Sequence, residues 1–479
     1  MKLPSWLWIA ILWFGVLWLH GSTLGISDDE AYYWALAQRL DWGYAFHPPM
    51  VAWSIAFFQK VFSWLGLPQN SAALIRLPAA FFSAVTLGLL LLTVQDLAKK
   101  KVAFLGLLSA AWMITSVSGI FWSSWMMVPD LPLFAGVALL IWASVGTGLG
   151  QRREWAFVLG AFLSLNSKYS GVLAIGSAGL SILFLAPPKS RIRNCAAVVA
   201  GTVAALIPIL VWNAQHQWGA LLFQFQERHG GSFSWTRGLR AWVIQFFLAG
   251  PVVGIIAFRA LRSVKGKGIR GLNVPVLFLI PAVLVFGIQP FFSEFKAHWL
   301  LVAWIPVAVI LGVQALAGFR GPDRTLLLTH GFWGSTLALL SVALLHFVNL
   351  GVSDPKKDIT NDLRGWSRLR EHVDGWEKRP WVGSRYQTAS QASVALFGFA
   401  PVTLLPRDLK QRDEWPDLGV TDSVEPGARL LKPVYFVADN RYDAGPNFTG
   451  ARCKEMTTLR VVRKDQITKK ILIWACDPS

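Results

Sequence analysis

The sequence WLWIAILWFGVLWLHGSTLGISDDE (residues 6–30) joins a long apolar run directly to three consecutive acids. The run from Trp6 to Leu24 is long enough to cross a bilayer core of about 30 Å. It is also longer than the apolar core of a signal peptide, and no small-residue cleavage site is evident. We therefore expect a retained membrane helix, with Asp28, Asp29 and Glu30 just beyond its end.

Similar apolar runs follow one another as far as about residue 349. Of the 479 residues, 54% are hydrophobic and only 15% are charged, whereas about a quarter of the residues in a soluble chain are charged. The pattern predicts a polytopic α-helical membrane protein with about eleven transmembrane helices. We place these helices at 5–24, 72–96, 102–121, 131–149, 155–167, 170–186, 196–213, 240–258, 272–289, 299–318 and 326–348.

Lysine and arginine are concentrated in alternate connections between these helices, and the positive-inside rule places those connections in the cytoplasm. Two spans over 155–186, separated near Lys168, keep this alternation intact. The amino terminus is then cytoplasmic, and the carboxyl terminus lies in the periplasm of a bacterial inner membrane. The formal net charge of +18 follows from this topology, so we expect membrane lipid rather than nucleic acid as the partner of the basic residues.

The composition becomes polar and proline-rich at about Gly351, and short β-type runs appear at 401–406, 433–439, 458–463 and 469–475. We predict a transmembrane domain over residues 1–350, with a first outer loop at 26–71 that forms amphipathic helices, and a small periplasmic α/β domain over 351–479. Cys453 and Cys476 flank a predicted hairpin and lie almost opposite each other, which favours a disulfide in an oxidising compartment.

Ionisable residues beside a bilayer are costly unless they are paired or hydrated, so their positions are informative. On the predicted topology they lie in separate connections that all reach the outer face, as expected of an active-site rim. These residues are Asp28, Asp29, Glu30 and His47; Asp130; Lys168; Asn213, His216, Glu227, Arg228 and His229; and Glu294, Lys296 and His298.

Structural interpretations stand beside this functional one. Ser27 and Glu30 have the spacing of a capping box, which would fix the start of a helix. Asp130 could cap the next helix, and Lys168 could extend to the lipid headgroups. His298 could belong to an aromatic interface belt, and Arg76 is interpreted as an interfacial anchor.

Five stretches, in the same order, resemble the bacterial relatives of protein O-mannosyltransferases and of the lipid A aminoarabinose transferase, in the glycosyltransferase C superfamily (family 39-like). The resemblance covers residues 1–350. It is carried by DEAYYWALAQRLDWGYAFHPPMVAW (29–53), VPDLPL (128–133), LNSKYSGVL (165–173), VWNAQHQWGALLFQFQERHGG (211–231) and EFKAHWLLVAWIPVA (294–308).

The resemblance implies an inverting transfer of a sugar from a polyprenyl-phosphate-linked donor at the outer face of the membrane. The acid of the family's first loop falls on Asp29-Glu30, with Asp28 as an additional neighbour. Acidic and lysine positions of the family fall on Asp130 and Lys168. The acceptor, a glycolipid such as lipid A, a glycan or a protein, stays open.

Chemistry assigns roles to the same residues. Asp29 or Asp28 would act as the general base on the acceptor oxygen, and we favour Asp29. Glu30 is a third candidate. Cations would stabilise the leaving phosphate. The donor-binding candidates are Lys168, Arg228, Lys296, His298, His47 and Asp130.

The sequence assigns no cofactor. If the acceptor is itself a phosphate, no base is needed, and Asp28, Asp29 and Glu30 could instead hold a divalent ion. A transporter or flippase of a lipid-linked glycan is the alternative function, and a non-catalytic assembly protein is a third. We expect a monomer.

Overall fold

The computed structural model describes residues 3–98, 102–224, 231–263, 273–316, 323–348, 354–406, 409–442, 445–463 and 465–479. Two compact units are present. The helical unit comprises Met1–Trp18, Phe46–Val51 and Pro78–Leu340, and the mixed unit comprises Leu19–Ala45, Ala52–Leu77 and Ser341–Ser479. Arg228, one of the predicted donor-binding residues, lies outside the described residues, as do Glu227 and His229.

The described residues form nineteen α-helices. They are α1 (Ser5–Ser22), α2 (Asp28–Ala37), α3 (Met50–Val61), α4 (Ala72–Ile75), α5 (Leu77–Ala98), α6 (Phe104–Thr115), α7 (Ser118–Phe121), α8 (Asp130–Gly148), α9 (Glu154–Ser167), α10 (Gly171–Leu185), α11 (Pro188–Gln215), α12 (Gly219–Leu222), α13 (Trp235–Ala249), α14 (Pro251–Ser263), α15 (Asn273–Ile288), α16 (Leu301–Ala315), α17 (Arg324–His346), α18 (Leu369–His372) and α19 (Tyr386–Ala395).

Seven helical segments in the described part of the chain are long and apolar enough to cross a membrane, or eight if one bent pair counts as a span. The polytopic helical architecture is thereby confirmed, while the number eleven stays a prediction. The bent pair corrects one expectation, because the helix predicted over 240–258 is broken into α13 and α14 with a bend of 96°. Gly250 lies at the break with a φ of +100°, and Pro251 begins the next helix.

The segment over 155–186 consists of two helices, α9 and α10, which are separated at Lys168. Helix α9 packs closely against α8, because a Cβ added at Gly136 would lie 2.5 Å from the Oγ of Ser164. Only glycine permits so close an approach. This packing brings the end of α9, which carries Lys168, to the beginning of α8, which carries Asp130.

The carboxyl-terminal part of the mixed unit contains the small α/β domain predicted from the sequence. Its strands are β1 (Trp381–Gly383), β2 (Val402–Leu404), β3 (Val434–Asp439), β4 (Ala451–Arg463) and β5 (Gln466–Pro478). The sheet order is β2-β1-β3-β5-β4, with parallel pairing of β1 to β2 and β3 and antiparallel pairing in the remainder. Strand β3 is buried along its whole length, as expected at the centre of a sheet.

The β4–β5 hairpin joins Cys453 to Cys476. The two residues are directly paired across the strands, and a disulfide connects them. The bond therefore fixes the open end of the hairpin, next to the central strand β3.

Candidate active site

The first turn of α2 is fixed by the capping box that the sequence predicted. The hydroxyl of Ser27 accepts a hydrogen bond from the backbone N–H of Glu30, and the carboxylate of Glu30 accepts one from the N–H of Ser27. Acids in a first turn also interact favourably with the positive end of the helix dipole. The capping box leaves Asp28 and Glu30 buried and Asp29 exposed.

Glu30 forms a buried, two-pronged ion pair with Arg76. The Nε and Nη2 of Arg76 lie 2.7 and 2.5 Å from the two carboxylate oxygens. The guanidinium also donates to the carbonyls of Gly21, Leu24 and Gly25. The prediction that Arg76 is an interfacial anchor is therefore wrong, because Arg76 is only 1% exposed. Its side chain instead holds the segment of chain between α1 and α2.

Asp28 is held by three side chains from the carboxyl-terminal part of the mixed unit. Its carboxylate lies 3.1 Å from Nη2 of Arg441, and it accepts hydrogen bonds from Tyr442 at 2.7 Å and from Gln391 at 2.9 Å. Only 3% of Asp28 is exposed. The carboxylate is thus enclosed by donors, which is typical of an anchoring residue.

Arg441 is the centre of a larger network of ion pairs, in which Asp362 is partly exposed and the other members are buried. It pairs with Asp439 and Asp362 as well as with Asp28, and Lys469 lies 3.6 Å from Asp439. Burial, followed by the charge of Asp28, raises the pKa of Asp362 to about 6. Burial lowers the pKa of Lys469 to about 8, although Asp439 acts in the opposite direction. The three acids outnumber the two cations, so ionising the last acid is costly.

Asp29 differs from its two neighbours because it is exposed. The hydroxyl of Tyr386, the first residue of α19, donates to its Oδ1 at 3.4 Å. Burial, and then the charges of Asp29 and Asp28, raise the pKa of Tyr386 well above its ordinary value. The phenol therefore stays a hydrogen-bond donor at neutral pH and orients the carboxylate.

A second cluster lies within the helical unit. Asp130, at the beginning of α8, pairs with Lys168 at 2.9 Å, and His298 lies 4.0 Å from its other oxygen. His47 is near enough for its charge to act on Asp130. The structure thus brings together four of the predicted donor-binding residues. Lys168 and Asp130 are largely buried, whereas His298 is half-exposed.

The other predicted residues lie around the ends of the membrane helices. Lys296 is exposed before α16. Asn213 is buried near the end of α11, where its Oδ1 accepts a hydrogen bond from the N–H of Leu221. The ring of His216 stacks on Trp212 with a centroid distance of 4.1 Å.

The divalent ion that the sequence left open stays a prediction. Within the described residues no group of three or more His, Cys, Asp or Glu side chains is arranged to hold a metal ion. Asp28, Asp29 and Glu30 contact separate partners, namely Arg441, Tyr386 and Arg76.

The partners of these acids were not predicted from the sequence. Arg441, Tyr386 and Gln391 lie more than 350 residues beyond the acids that they contact. The signal that was present is the polar run DNRYD (439–443), which begins at the last residue of the predicted strand at 433–439. From the sequence alone, the acids that pair with Arg441 could not be identified.

Apolar helices that are long enough to cross a membrane, together with a small α/β sheet domain, define a polytopic α-helical membrane protein. The chain is similar along its whole length to solved structures of ArnT from Cupriavidus metallidurans. The ArnT structure that contains bound undecaprenyl phosphate gives a TM-score of 0.64 at 11% identity. The alignment covers 99% of this chain and 98% of the ArnT chain. The apo structure gives a TM-score of 0.62, with coverage of 98% and 97%.

The sequence comparisons agree with the fold. Residues 46–212 match the family model of dolichyl-phosphate-mannose-protein mannosyltransferases. The lipid A galacturonosyltransferase RgtD of Rhizobium johnstonii is 25% identical over 308 residues, which are 63% of each chain. The match thus spans less than two thirds of that relative. The chain has the fold of the glycosyltransferase C superfamily, which confirms the resemblance predicted from the sequence motifs.

Proposed function

We propose that this protein is an inverting glycosyltransferase that moves a sugar from a polyprenyl-phosphate-linked donor to a glycolipid acceptor of the lipid A type. The observation that carries the proposal is the exposed carboxylate of Asp29, which is presented by a helix whose flanking acids are both anchored. The relative that acts on lipid A and the similar fold solved with undecaprenyl phosphate support the acceptor and the donor.

In this reaction Asp29 is the general base. It takes the proton of an acceptor hydroxyl while the acceptor oxygen forms a bond to the anomeric carbon of the sugar. The bond between that carbon and the phosphate oxygen breaks, and the lipid phosphate leaves with the electron pair. Attack from the face opposite the leaving group inverts the anomeric configuration. If the acceptor oxygen belongs to a phosphate, it needs no base, and Asp29 orients the acceptor.

Charge develops on the phosphate as it leaves, and a preorganised cation lowers the energy of that transition state. Lys168 meets this requirement, because its ion pair with Asp130 fixes the ammonium group at the end of α9. His298, His47 and Lys296 are further candidates for contacts with the donor phosphate.

We assign anchoring roles to Asp28 and Glu30, which sequence reasoning had included among the catalytic candidates. Both carboxylates are buried and saturated with donors from Arg441, Tyr442, Gln391 and Arg76. A general base must reach the proton that it removes. Among the three consecutive acids, the exposed Asp29 fits that requirement best.

The proposal places the reaction at the periplasmic face of a bacterial inner membrane, with the carboxyl-terminal domain on that side. Its test is mass spectrometry of lipid A and other envelope glycolipids from cells with and without the gene. We expect a glycolipid that loses the mass of one sugar residue when the gene is deleted. A change confined to glycoproteins would contradict the proposed acceptor, and unchanged glycolipids and glycoproteins would contradict the transfer itself.

A further inference from the structure

The mixed unit contains a cavity of about 670 Å³ beside the beginning of α19. Its walls come from the connection before α19, from the end of β2, and from the segments before and after β3. This volume lies within the range of small-molecule sites, which is about 300–1,000 Å³. None of the roles proposed above uses this cavity.

The lining combines aromatic rings with planar polar groups. Tyr386, Phe436 and Phe448 contribute the rings, and the latter two meet edge to face with centroids 5.9 Å apart. Gln411 and Asn447 contribute amides, and Asn447 is exposed. Sugar rings present apolar C–H faces together with hydroxyl groups, so aromatic walls with a few amides suit a carbohydrate.

One polar group of the lining is unsatisfied. The Oγ of Ser384 is shielded from solvent and makes no hydrogen bond within the described part of the chain. A buried hydroxyl without a partner costs about 1–3 kcal/mol. A ligand hydroxyl or anionic oxygen in the cavity would satisfy this group once the side chain of Ser384 rotates towards the cavity.

The cavity also has a cationic side. Arg385 is part of the lining next to Ser384, and the exposed Glu425 is the acid among the lining residues. A guanidinium recognises phosphate and carboxylate oxygens through two parallel hydrogen bonds. The guanidinium of Arg385 can bind an acidic group, and the carboxylate of Glu425 can accept hydrogen bonds from hydroxyls, so the lining suits a sugar that carries an acidic group.

Tyr386 connects this cavity to Asp29. The same side chain lines the cavity and donates its hydroxyl to the carboxylate of Asp29 at 3.4 Å. A ligand in the cavity would thus contact the same tyrosine that donates a hydrogen bond to the general base. We propose that the cavity binds the anionic glycan part of the acceptor, an inference that rests on the proposed function.

Binding to the full-length protein in detergent tests this proposal directly, with isothermal titration calorimetry. The probes are the deacylated lipid A disaccharide with its phosphates, the same disaccharide after dephosphorylation, and digalacturonic acid. Phosphate-dependent binding identifies a phosphorylated sugar as the ligand, and binding of digalacturonic acid identifies a carboxylate sugar. Equal affinity for the neutral disaccharide, or no binding of any probe, would overturn the proposal.

Two variants locate the binding site. Arg385→Gln removes the cation, and Asn447→Trp fills the cavity from an exposed position. We expect each to weaken binding of the anionic probe at least about tenfold, which corresponds to roughly 1.4 kcal/mol. The matched control is Arg460→Gln, which removes an exposed arginine on β4, away from the cavity.

Transfer kinetics separate this inference from the proposed function. With purified lipid A as acceptor, both cavity variants should raise the acceptor KM about tenfold and leave the donor KM and kcat close to wild type. A wild-type acceptor KM in both variants would overturn the proposal that the cavity binds the acceptor, but it would leave the proposed transferase function intact. Absence of transfer by the wild-type protein would refute the function instead, and binding without transfer would exclude an acceptor role for the cavity.

Discussion

At the residue scale, three consecutive acids have three different environments. Successive side chains of an α-helix point about 100° apart, so Asp28, Asp29 and Glu30 cannot share one partner. Asp28 faces Arg441, and Glu30 faces Arg76. Asp29 lies between them in sequence and is exposed. The same chemical group is thus buried against an arginine at two positions and exposed at the third.

Glu30→Gln should destabilise the protein strongly. The change leaves the guanidinium of Arg76 buried without its counter-charge, a loss that typically costs about 3–5 kcal/mol. Thermal unfolding followed by near-ultraviolet circular dichroism measures the effect. Glu371→Gln, at an exposed position, is the matched control. Equal unfolding temperatures for Glu30→Gln and the control would contradict the anchoring role.

Lys168→Met should reduce transfer by the folded protein, and it should also lower the unfolding temperature, because the buried carboxylate of Asp130 loses its partner. The ammonium group would no longer stabilise the leaving phosphate, and loss of one such group typically lowers kcat about 10²–10³-fold. Single-turnover transfer with a polyprenyl-phosphate sugar measures the rate. Lys189→Met, which removes an exposed lysine at the start of α11, should keep full activity. A wild-type rate in Lys168→Met would remove this residue from the mechanism.

At the element scale, α2 is fixed by contacts that are remote in sequence. Asp28 and Arg441 are 413 residues apart, and Gln391 of α19 also donates to the carbonyl of Ile26. Helix α19 packs directly against α2. The helix that presents Asp29 is therefore part of the folded mixed unit rather than an independent loop helix.

Arg441→Met should loosen the start of α2 without touching any substrate. Asp28, Asp362 and Asp439 would lose their shared cation, so the amides of the first two turns of α2 should exchange with deuterium faster. Hydrogen exchange with mass spectrometry resolves this segment. Adding Asp28→Asn to the variant should restore part of the protection, because it removes one unpaired charge. Unchanged exchange in α2 would show that the network does not hold the helix.

Sequence patterns were sufficient for elements whose determinants are local. The capping box at Ser27, the interruption at Lys168 and the strand at 433–439 all depend on residues close together in the chain. The short strand β1 and the helix α19 were missed because tertiary contacts rather than periodicity define them. The role of Arg76 was wrong for the same reason, since its partner Glu30 is 46 residues away.

At the scale of the whole molecule, the network of ion pairs around Arg441 makes stability depend on pH. The folded-state pKa of Asp362 is raised to about 6, above the ordinary value of about 3.9. Its contribution to stability is therefore fully present below about pH 4 and is lost as the pH rises through 6. Lys469, with a folded pKa lowered to about 8, adds a contribution that increases from about pH 8 upward.

Asp362→Asn removes the first of these ionisations. The difference in unfolding temperature between this variant and wild type should be more positive at pH 8 than at pH 5. The reason is that ionisation of Asp362 in the folded state destabilises only the wild type as the pH rises. Differential scanning calorimetry at both pH values measures the difference. Asp374→Asn, at an exposed site, should show no such dependence. A relative unfolding temperature that falls between pH 5 and pH 8 would contradict the assigned direction of the pKa.

The central claim is that Asp29 provides the reactive carboxylate of a lipid-linked sugar transferase. Its most direct test is the transfer rate of purified Asp29→Asn, with a polyprenyl-phosphate-linked sugar as donor and lipid A as acceptor. We predict a loss of about 10²–10⁴-fold in kcat, the usual contribution of a general base, with an unfolding temperature equal to that of wild type. A wild-type rate of transfer in this variant would contradict the account.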